Sequence, residues 1–246
     1  TPSLISPAGL PIRIILEADM LSVLIAMTAI STAFLCGLYS FRLIERFSGQ
    51  EMFYSLFLLL TAGIMGMCFT GDFFSLFVFF ELTSVSSATL ISFCKQKESS
   101  EAAYKYIVIS SVAALFLLFG VALLYGHYGL LNMAAIAKQV AAHASYLDVL
   151  VLSIFVSVFL LKAGAVPVHM WKLDAYQEAP SPVIPLCITS SLISIYLLFR
   201  VGFLFYPIIS NMLGWIIMGL GALSIILGST LALSQNNLKR LMAYAA

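Results

Sequence analysis

Two charged residues lie deep inside long apolar stretches of the sequence. Glu81 is the acidic residue of LFVFFELTSVSS, and Lys162 is the basic residue of VSVFLLKAGAVP. A charge at the centre of a bilayer costs between about 2.5 and more than 10 kcal/mol, so each needs a reason to be there. Burial disfavours the charged form of both groups, whereas their mutual attraction favours it. Such a pair predicts proton transfer, because a movement that separates the two groups releases the lysine proton.

A structural explanation of the same pair is the alternative. Glu81 and Lys162 would then form a fixed ion pair that locks two helices together. Buried ion pairs stabilise poorly in comparison with apolar residues of similar volume, which favours the proton-transfer hypothesis.

A proline and a histidine follow Lys162 closely. Pro167 lacks a backbone donor and clashes with the preceding turn, so a helix break is predicted near Gly164–Pro167. Broken helices at membrane depth line cavities and binding sites. His169 follows the break, and an imidazole exchanges protons near neutral pH. His169 is therefore a candidate proton shuttle, with capping of a helix end as the alternative.

Polar residues on neighbouring stretches extend this candidate path. Lys105, in EAAYKYIVISS, is predicted at the cytoplasmic mouth of the preceding apolar span, at about 104–125. There it either transfers protons inward or anchors the helix at the membrane interface. Asp174 and Glu178 are interpreted mainly as structural residues of a short polar turn. Several serines would hydrogen-bond between helices or hold water, although most are expected to be packing residues: Ser84, Ser86, Ser87, Ser110, Ser111, Ser153 and Ser157.

The elements that position these residues must be membrane helices. The chain has 246 residues, of which 62% are hydrophobic and 9% charged, which excludes a soluble globular domain. A helix crosses a bilayer with about 20 apolar residues, whereas a membrane β-barrel needs an alternating polarity that these runs lack. We therefore predict an all-α, polytopic transmembrane helix bundle that forms a single domain over residues 1–246. Its seven spans are at about 20–41, 52–70, 73–94, 104–125, 147–169, 180–205 and 208–234.

Composition also limits the chemistry that the chain carries. The net charge of +1 and the lack of a basic run exclude nucleic acid as a partner. No iron–sulfur or dinucleotide motif is present, so we expect no cofactor and no metal site, and any redox chemistry would belong to partner subunits. The four cysteines lack the spacing of metal ligands and are predicted to be small buried residues: Cys36, Cys68, Cys94 and Cys187.

The loops predict an orientation in the membrane, because Lys and Arg accumulate in cytoplasmic loops. One side receives Arg42, Arg46, Lys95, Lys97, Lys105, Lys172, Lys239 and Arg240. The other side receives Arg13, Lys138 and Arg200. An external N-terminus and a cytoplasmic C-terminus are therefore expected.

Four stretches carry a resemblance to a known family. They are GDFFSLFVFFELTSVSS (71–87), YKYIVISSVAALFLLFGVALLY (104–125), LLKAGAVPVHMWKLDAYQEAPSPV (160–183) and LALSQNNLKRLMAYAA (231–246). In this order they resemble the antiporter-like membrane subunits of respiratory complex I. The same family includes homologues in membrane-bound hydrogenases and in multi-subunit sodium/proton antiporters. The resemblance spans nearly the whole chain.

The resemblance implies a fold with two inverted five-helix repeats, each containing a discontinuous helix. The first repeat would cover about 52–205, and the second would begin at about 208 and be truncated at the end of this chain. Glu81 matches the family's glutamate, Lys162 its lysine, and His169 the histidine after the break. The implied function is translocation of protons, with sodium as the alternative ion. The chain would act in the inner membrane of a prokaryotic cell, beside other membrane and peripheral subunits of a redox-driven or antiporter complex.

The sequence departs from the family pattern at two places. Leu192 aligns with a position where many relatives carry a second lysine, so a central relay would lack one titratable step. Lys172–Leu173 stands where relatives have Leu-Pro, and Lys172 is expected to substitute in part from the cytoplasmic mouth. Two alternatives stay open: a non-conducting structural subunit, and a stand-alone secondary transporter with an organic substrate at the helix break.

Overall fold

The computed structural model of the chain describes residues 14–208 and 211–245, and for 211–213 only the backbone. These residues form ten α-helices, seven of which are long and apolar enough to cross a membrane. The predicted all-α class and the number of spans are confirmed. The helices are α1 (Met20–Ile44), α2 (Gln50–Phe69), α3 (Phe73–Ile91), α4 (Lys97–Tyr128), α5 (Met133–Ala142), α6 (Tyr146–Ala163), α7 (Met170–Glu178), α8 (Ile184–Leu204), α9 (Asn211–Leu233) and α10 (Leu238–Ala245).

Helix ends differ from the apolar runs where polar residues favour or stop a helix. α4 begins at Lys97 and not near 104, because Glu, Ala and Lys propagate a helix beyond the apolar core. The predicted fifth span, 147–169, is wrong at its end, since α6 stops at Ala163. The apolar runs do not predict the three short helices α5, α7 and α10, because none of these is long enough to span a membrane.

The break after α6 occurs at a glycine. Gly164 has φ of 78°, a left-handed conformation that glycine adopts without a steric cost. The N–H of Ala165 donates to the carbonyl of Leu160 at 3.0 Å, which closes the last turn of α6. Residues 164–169, including Pro167, then separate α6 from α7.

The bundle packs around its most buried helices, α3 and α8. α2 packs against α3, α3 against α4, α4 against α6, and α6 against α8, while α1 lies against α2 and α8. Cys36, Cys68 and Cys187 are buried as predicted, whereas Cys94 is half-buried. In contrast, the part of α9 from Gly214 to Leu233 has no buried residue within the described chain.

Extended segments close the bundle at the end where α2 finishes and α3 begins. Leu16 pairs with Thr70, and Asp72 pairs with Asn132, in isolated antiparallel bridges. Asp72 caps α3 by accepting from the backbone N–H of Ser75 at 2.7 Å. Arg13, which enters the orientation argument, lies outside the described residues.

Candidate functional site

Lys162 lies near the C-terminus of α6 and is only 2% exposed. Its ammonium group points at three hydroxyl groups on α3 and α4. Nζ donates to Ser84 Oγ at 2.7 Å, to the hydroxyl of Tyr106 at 3.2 Å and to Ser110 Oγ at 3.2 Å. We call Ser84, Tyr106 and Ser110 the hydroxyl cage. It links side chains of α3, α4 and α6.

The hydroxyl cage offers as many acceptors as a lysine ammonium has N–H donors. An ammonium has three N–H donors, and each finds one acceptor here. The rings of Phe80 and Tyr106 lie 4.9 and 5.0 Å from Nζ, within the range of a cation–π interaction. Hydroxyl groups can also rotate and donate, so the same cage can serve a neutral amine with its lone pair. The site can therefore hold lysine in either protonation state.

Glu81 is half-buried on α3, three residues before Ser84, and so lies on nearly the same helix face. Its carboxylate comes no closer than 4.0 Å to the Lys162 ammonium and accepts no hydrogen bond from a described residue. The two predicted partners are thus separated, with Ser84 on the Glu81 helix making the contact to Lys162. A fixed ion pair, which the structural explanation requires, is not formed here.

His169 occupies the N-cap position of α7 and is half-buried. Its Nδ1 atom is buried and has no hydrogen-bond partner among the described residues. It lines a cavity of about 790 Å³ between α6, α8, α9 and α10, whose wall includes Gly164 and Lys172. None of the three hydrogen bonds of Lys162 reaches His169, so the two predicted residues are not in direct contact.

Lys172 is not at an exposed mouth, and that prediction is wrong. It is 3% exposed, and its Nζ donates to the carbonyl of Ala163 at 3.1 Å. After the break α7 packs against α4 and α10, which buries Lys172, a residue of a polar stretch, with its side chain against the end of α6. Hydropathy alone places such a lysine in a loop because it takes no account of this packing.

Lys105 is exposed and ion-paired. Its Nζ lies 2.9 Å from Glu101 and 3.2 Å from Asp174, so it joins α4 to α7. Asp174 also lies 3.9 Å from Arg240 of α10. Asp174 thus lies within α7 and not in the predicted polar turn, and its ion pairs join α7 to α4 and α10. Lys105 itself does not contact Lys162, but the next residue, Tyr106, does.

Leu192 does not face the hydroxyl cage. It is 53% exposed and lines a second cavity of about 570 Å³ between α1 and α8, with Thr28 and Thr32 on the opposite wall. The serines of α8 are buried instead, and Ser191 shares a hydrogen bond of 2.8 Å with the hydroxyl of Tyr176.

Tyr106 is the site residue that sequence reasoning missed. It contacts Lys162 with its hydroxyl and Trp171 with its ring, the two ring centroids being 5.3 Å apart. A signal was available, because Tyr106 and Ser110 are four residues apart and so share one face of α4. What the spacing does not reveal is that this face meets Lys162.

Seven helices long enough to cross a membrane, with a buried lysine beside a helix break, place the chain in the class of polytopic membrane subunits. The chain belongs to the family described as NADH:quinone oxidoreductase/Mrp antiporter, transmembrane, whose model matches residues 70–246. The resemblance drawn from the sequence is confirmed.

Individual relatives agree with this assignment. The chain is 34% identical to NADH-quinone oxidoreductase subunit N of Desulforudis audaxviator, over 98% of this chain and 48% of that protein. It is 32% identical to a subunit of an archaeal membrane-bound sulfane sulfur reductase, with a TM-score of 0.84 over 99% of this chain and 50% of that one. A subunit of respiratory complex I from Thermus thermophilus is 28% identical, with a TM-score of 0.74 over 92% of this chain and 48% of that one. The chain thus spans about half the length of the relatives it matches.

Proposed function

We propose that this chain is part of a proton-translocating subunit of a multi-subunit respiratory or antiporter complex, and that Lys162 carries the proton. The observation that carries the proposal is the buried ammonium of Lys162, which is held by three neutral hydroxyls and no carboxylate. A permanently charged lysine in a membrane interior is costly, whereas one that gains and loses a proton between two satisfied states has a reason to be there.

Glu81 would act on Lys162 electrostatically, without contacting it. The carboxylate lies one helical turn from Ser84 on α3, and a negative charge near the cage favours the protonated form of Lys162. When Glu81 becomes neutral or moves away, the N–H bond of the ammonium breaks and the proton passes to water. One cage hydroxyl then donates to the free lone pair. His169 and Lys105 are proposed as the groups that exchange protons nearer the cytoplasm.

Charge-neutralising variants in the intact complex test this function. Lys162→Ala and Glu81→Gln should each abolish or strongly reduce proton uptake by native membrane vesicles, with assembly of the complex unchanged. Lys97→Met is the matched control, since Lys97 is an exposed lysine at the start of α4. Unchanged proton uptake in both variants, with normal assembly, would refute a conducting role. Uptake of sodium in place of protons would reassign the ion.

We also propose an external N-terminus, a cytoplasmic C-terminus and residence in the inner membrane. Lys95 lies between α3 and α4 and Lys97 begins α4 at one end of the bundle, whereas Lys138 lies on α5 at the other. Lys172 no longer contributes to this argument because it is buried.

Cysteine labelling tests the orientation in a chain whose native cysteines are replaced by alanine. Lys138→Cys should react with a membrane-impermeant maleimide in intact cells. Lys97→Cys should react only after the membrane is permeabilised. The opposite pattern would reverse the topology.

A further inference from the structure

Lys172 is a second buried lysine, and it lies on the other side of the helix break from Lys162. Its aliphatic chain packs so closely on Gly164 that a Cβ added there would lie 2.7 Å from Lys172 Cδ. Its Nζ donates to the carbonyl of Ala163, the residue directly after Lys162. Lys172 thus contacts the end of the helix that carries Lys162, from beyond the break.

The two amines differ in how well the protein satisfies them. Lys162 has three hydroxyl acceptors, whereas Lys172 has one described acceptor and a 5.6 Å approach to the ring of Tyr176. No carboxylate of a described residue lies within 4.0 Å of the Lys172 ammonium. A lysine that only capped the helix would be expected at a wet surface, where water takes up its other donors.

The wall of the 790 Å³ cavity holds the groups that could exchange a proton with Lys172. Lys172 and His169 both line this cavity, together with Ser224 and Tyr244. His169 Nδ1 is buried and has no partner in the part of the chain that the structure describes. The wall is mainly apolar, but these four side chains give water polar partners, and water carries protons between groups that do not touch.

We propose that Lys172 is a second proton-carrying group, which exchanges protons with His169 through this cavity. In the step, an N–H bond of the Lys172 ammonium breaks, water carries the proton, and an N–H bond forms on the neutral imidazole of His169. Lysine is left as a neutral amine and histidine as an imidazolium, so charge and atoms balance. The inference rests on the proposed proton-translocating function, to which it adds a step beyond Lys162.

Two substitutions separate proton transfer from helix capping. Lys172→Met keeps the packing on Gly164 and removes the amine. Lys172→Arg keeps a positive charge and a donor for the Ala163 carbonyl, but a guanidinium does not release its proton. Proton uptake per electron transferred should fall at least about fivefold in both variants of the intact complex, measured in native membrane vesicles with an acridine dye. Lys97→Met should behave as wild type.

Three outcomes of this experiment would refute a proton-carrying role for Lys172. Wild-type uptake in Lys172→Arg would show that Lys172 is only a charged cap, and wild-type uptake in Lys172→Met would show that the amine is not needed. Failure of both variants to assemble would also overturn the proposal, because the amine would then be structural. Lys162→Ala in the same vesicles separates the two hypotheses. Normal uptake there refutes the function itself, whereas lost uptake there with normal uptake in Lys172→Arg refutes this inference alone.

Discussion

The groups that contact the Lys162 ammonium are hydroxyls and not a counterion. A carboxylate in contact would hold the ammonium in its charged form, whereas Ser84, Tyr106 and Ser110 satisfy it without fixing its charge. Hydrogen bonds to charged groups contribute about 1.5–3 kcal/mol, which is enough to offset part of the cost of burial. The groups in contact with the Lys162 ammonium are therefore neutral, and the proposed influence of Glu81 acts from outside the hydroxyl cage.

The Tyr106 hydroxyl should be coupled energetically to Lys162. Tyr106→Phe removes one acceptor and keeps the ring, so it should destabilise the wild-type protein by about 1–3 kcal/mol and have a much smaller effect when Lys162→Met is present. Denaturant unfolding of the four proteins of this double-mutant cycle in mixed micelles measures the coupling. Equal effects of Tyr106→Phe in both backgrounds would contradict the contact.

The helix break separates the two buried lysines along the chain and positions Lys172. α6 ends at Gly164 because its backbone turns into a left-handed conformation, and the side chain of Lys172 lies against this turn. An ordinary L-residue is disfavoured in that conformation. The break is thus encoded by glycine first, with Pro167 following in the segment that separates the two helices.

Gly164→Ala should be strongly destabilising. The new Cβ is strained at φ of 78° and would lie 2.7 Å from Lys172 Cδ, so a loss of at least about 1–2 kcal/mol is expected. Gly126→Ala is the matched control, because Gly126 lies within α4 with no atom within 4 Å of the added Cβ. Thermal unfolding of the two purified variants measures the difference. Equal stability of both would refute a steric role for Gly164.

Far from the lysines, a charged cluster joins the start of α1 to the ends of α2 and α8. Arg200 is 12% exposed at its side chain and lies 3.3 Å from Glu17. It also donates to the carbonyl of Cys68 at 3.2 Å and to the hydroxyl of Tyr196. Arg200→Met should cost about 1–2 kcal/mol, less than a fully buried pair because Glu17 is partly exposed. Thermal unfolding of Arg200→Met, compared with that of Arg200→Lys, measures this cost. Wild-type stability of Arg200→Met would show that the cluster does not stabilise the bundle.

Asp19 gives the same end of the bundle a dependence on pH. The backbone N–H of Ser22 donates to its carboxylate at 2.6 Å, which lowers the pKa of Asp19 below the usual aspartate value. A depressed pKa means that this stabilisation is fully present above the unfolded pKa of about 3.9 and is lost as the pH falls through the folded value. Asp19→Ala should therefore cost about 1 kcal/mol at pH 7. Below pH 4, the difference in melting temperature between Asp19→Ala and the wild type should become smaller. A difference that stays constant with pH would contradict a capping role for Asp19.

Much of the fold follows from the order of residues. Long apolar runs must be helices in lipid, since no other open structure satisfies its own backbone there, so the class and the seven spans follow from local composition. The internal repeat stays a prediction. Hydropathy does not predict the start of α4 or the end of α6, because it indicates only which residues suit lipid, whereas helix propensity and glycine conformation decide where a helix begins and ends.

The candidate site, too, has a part that the sequence predicts and a part that it does not. Glu81 and Lys162 stood out from the sequence because a charge in an apolar run is costly wherever it packs. Only the tertiary structure decided that they do not touch, that Tyr106 completes the cage, and that Lys172 is buried and not exposed. The physical reason is that burial cost depends on the local sequence, while partners depend on how helices rotate and on where a chain folds back, and those are settled by packing between distant segments.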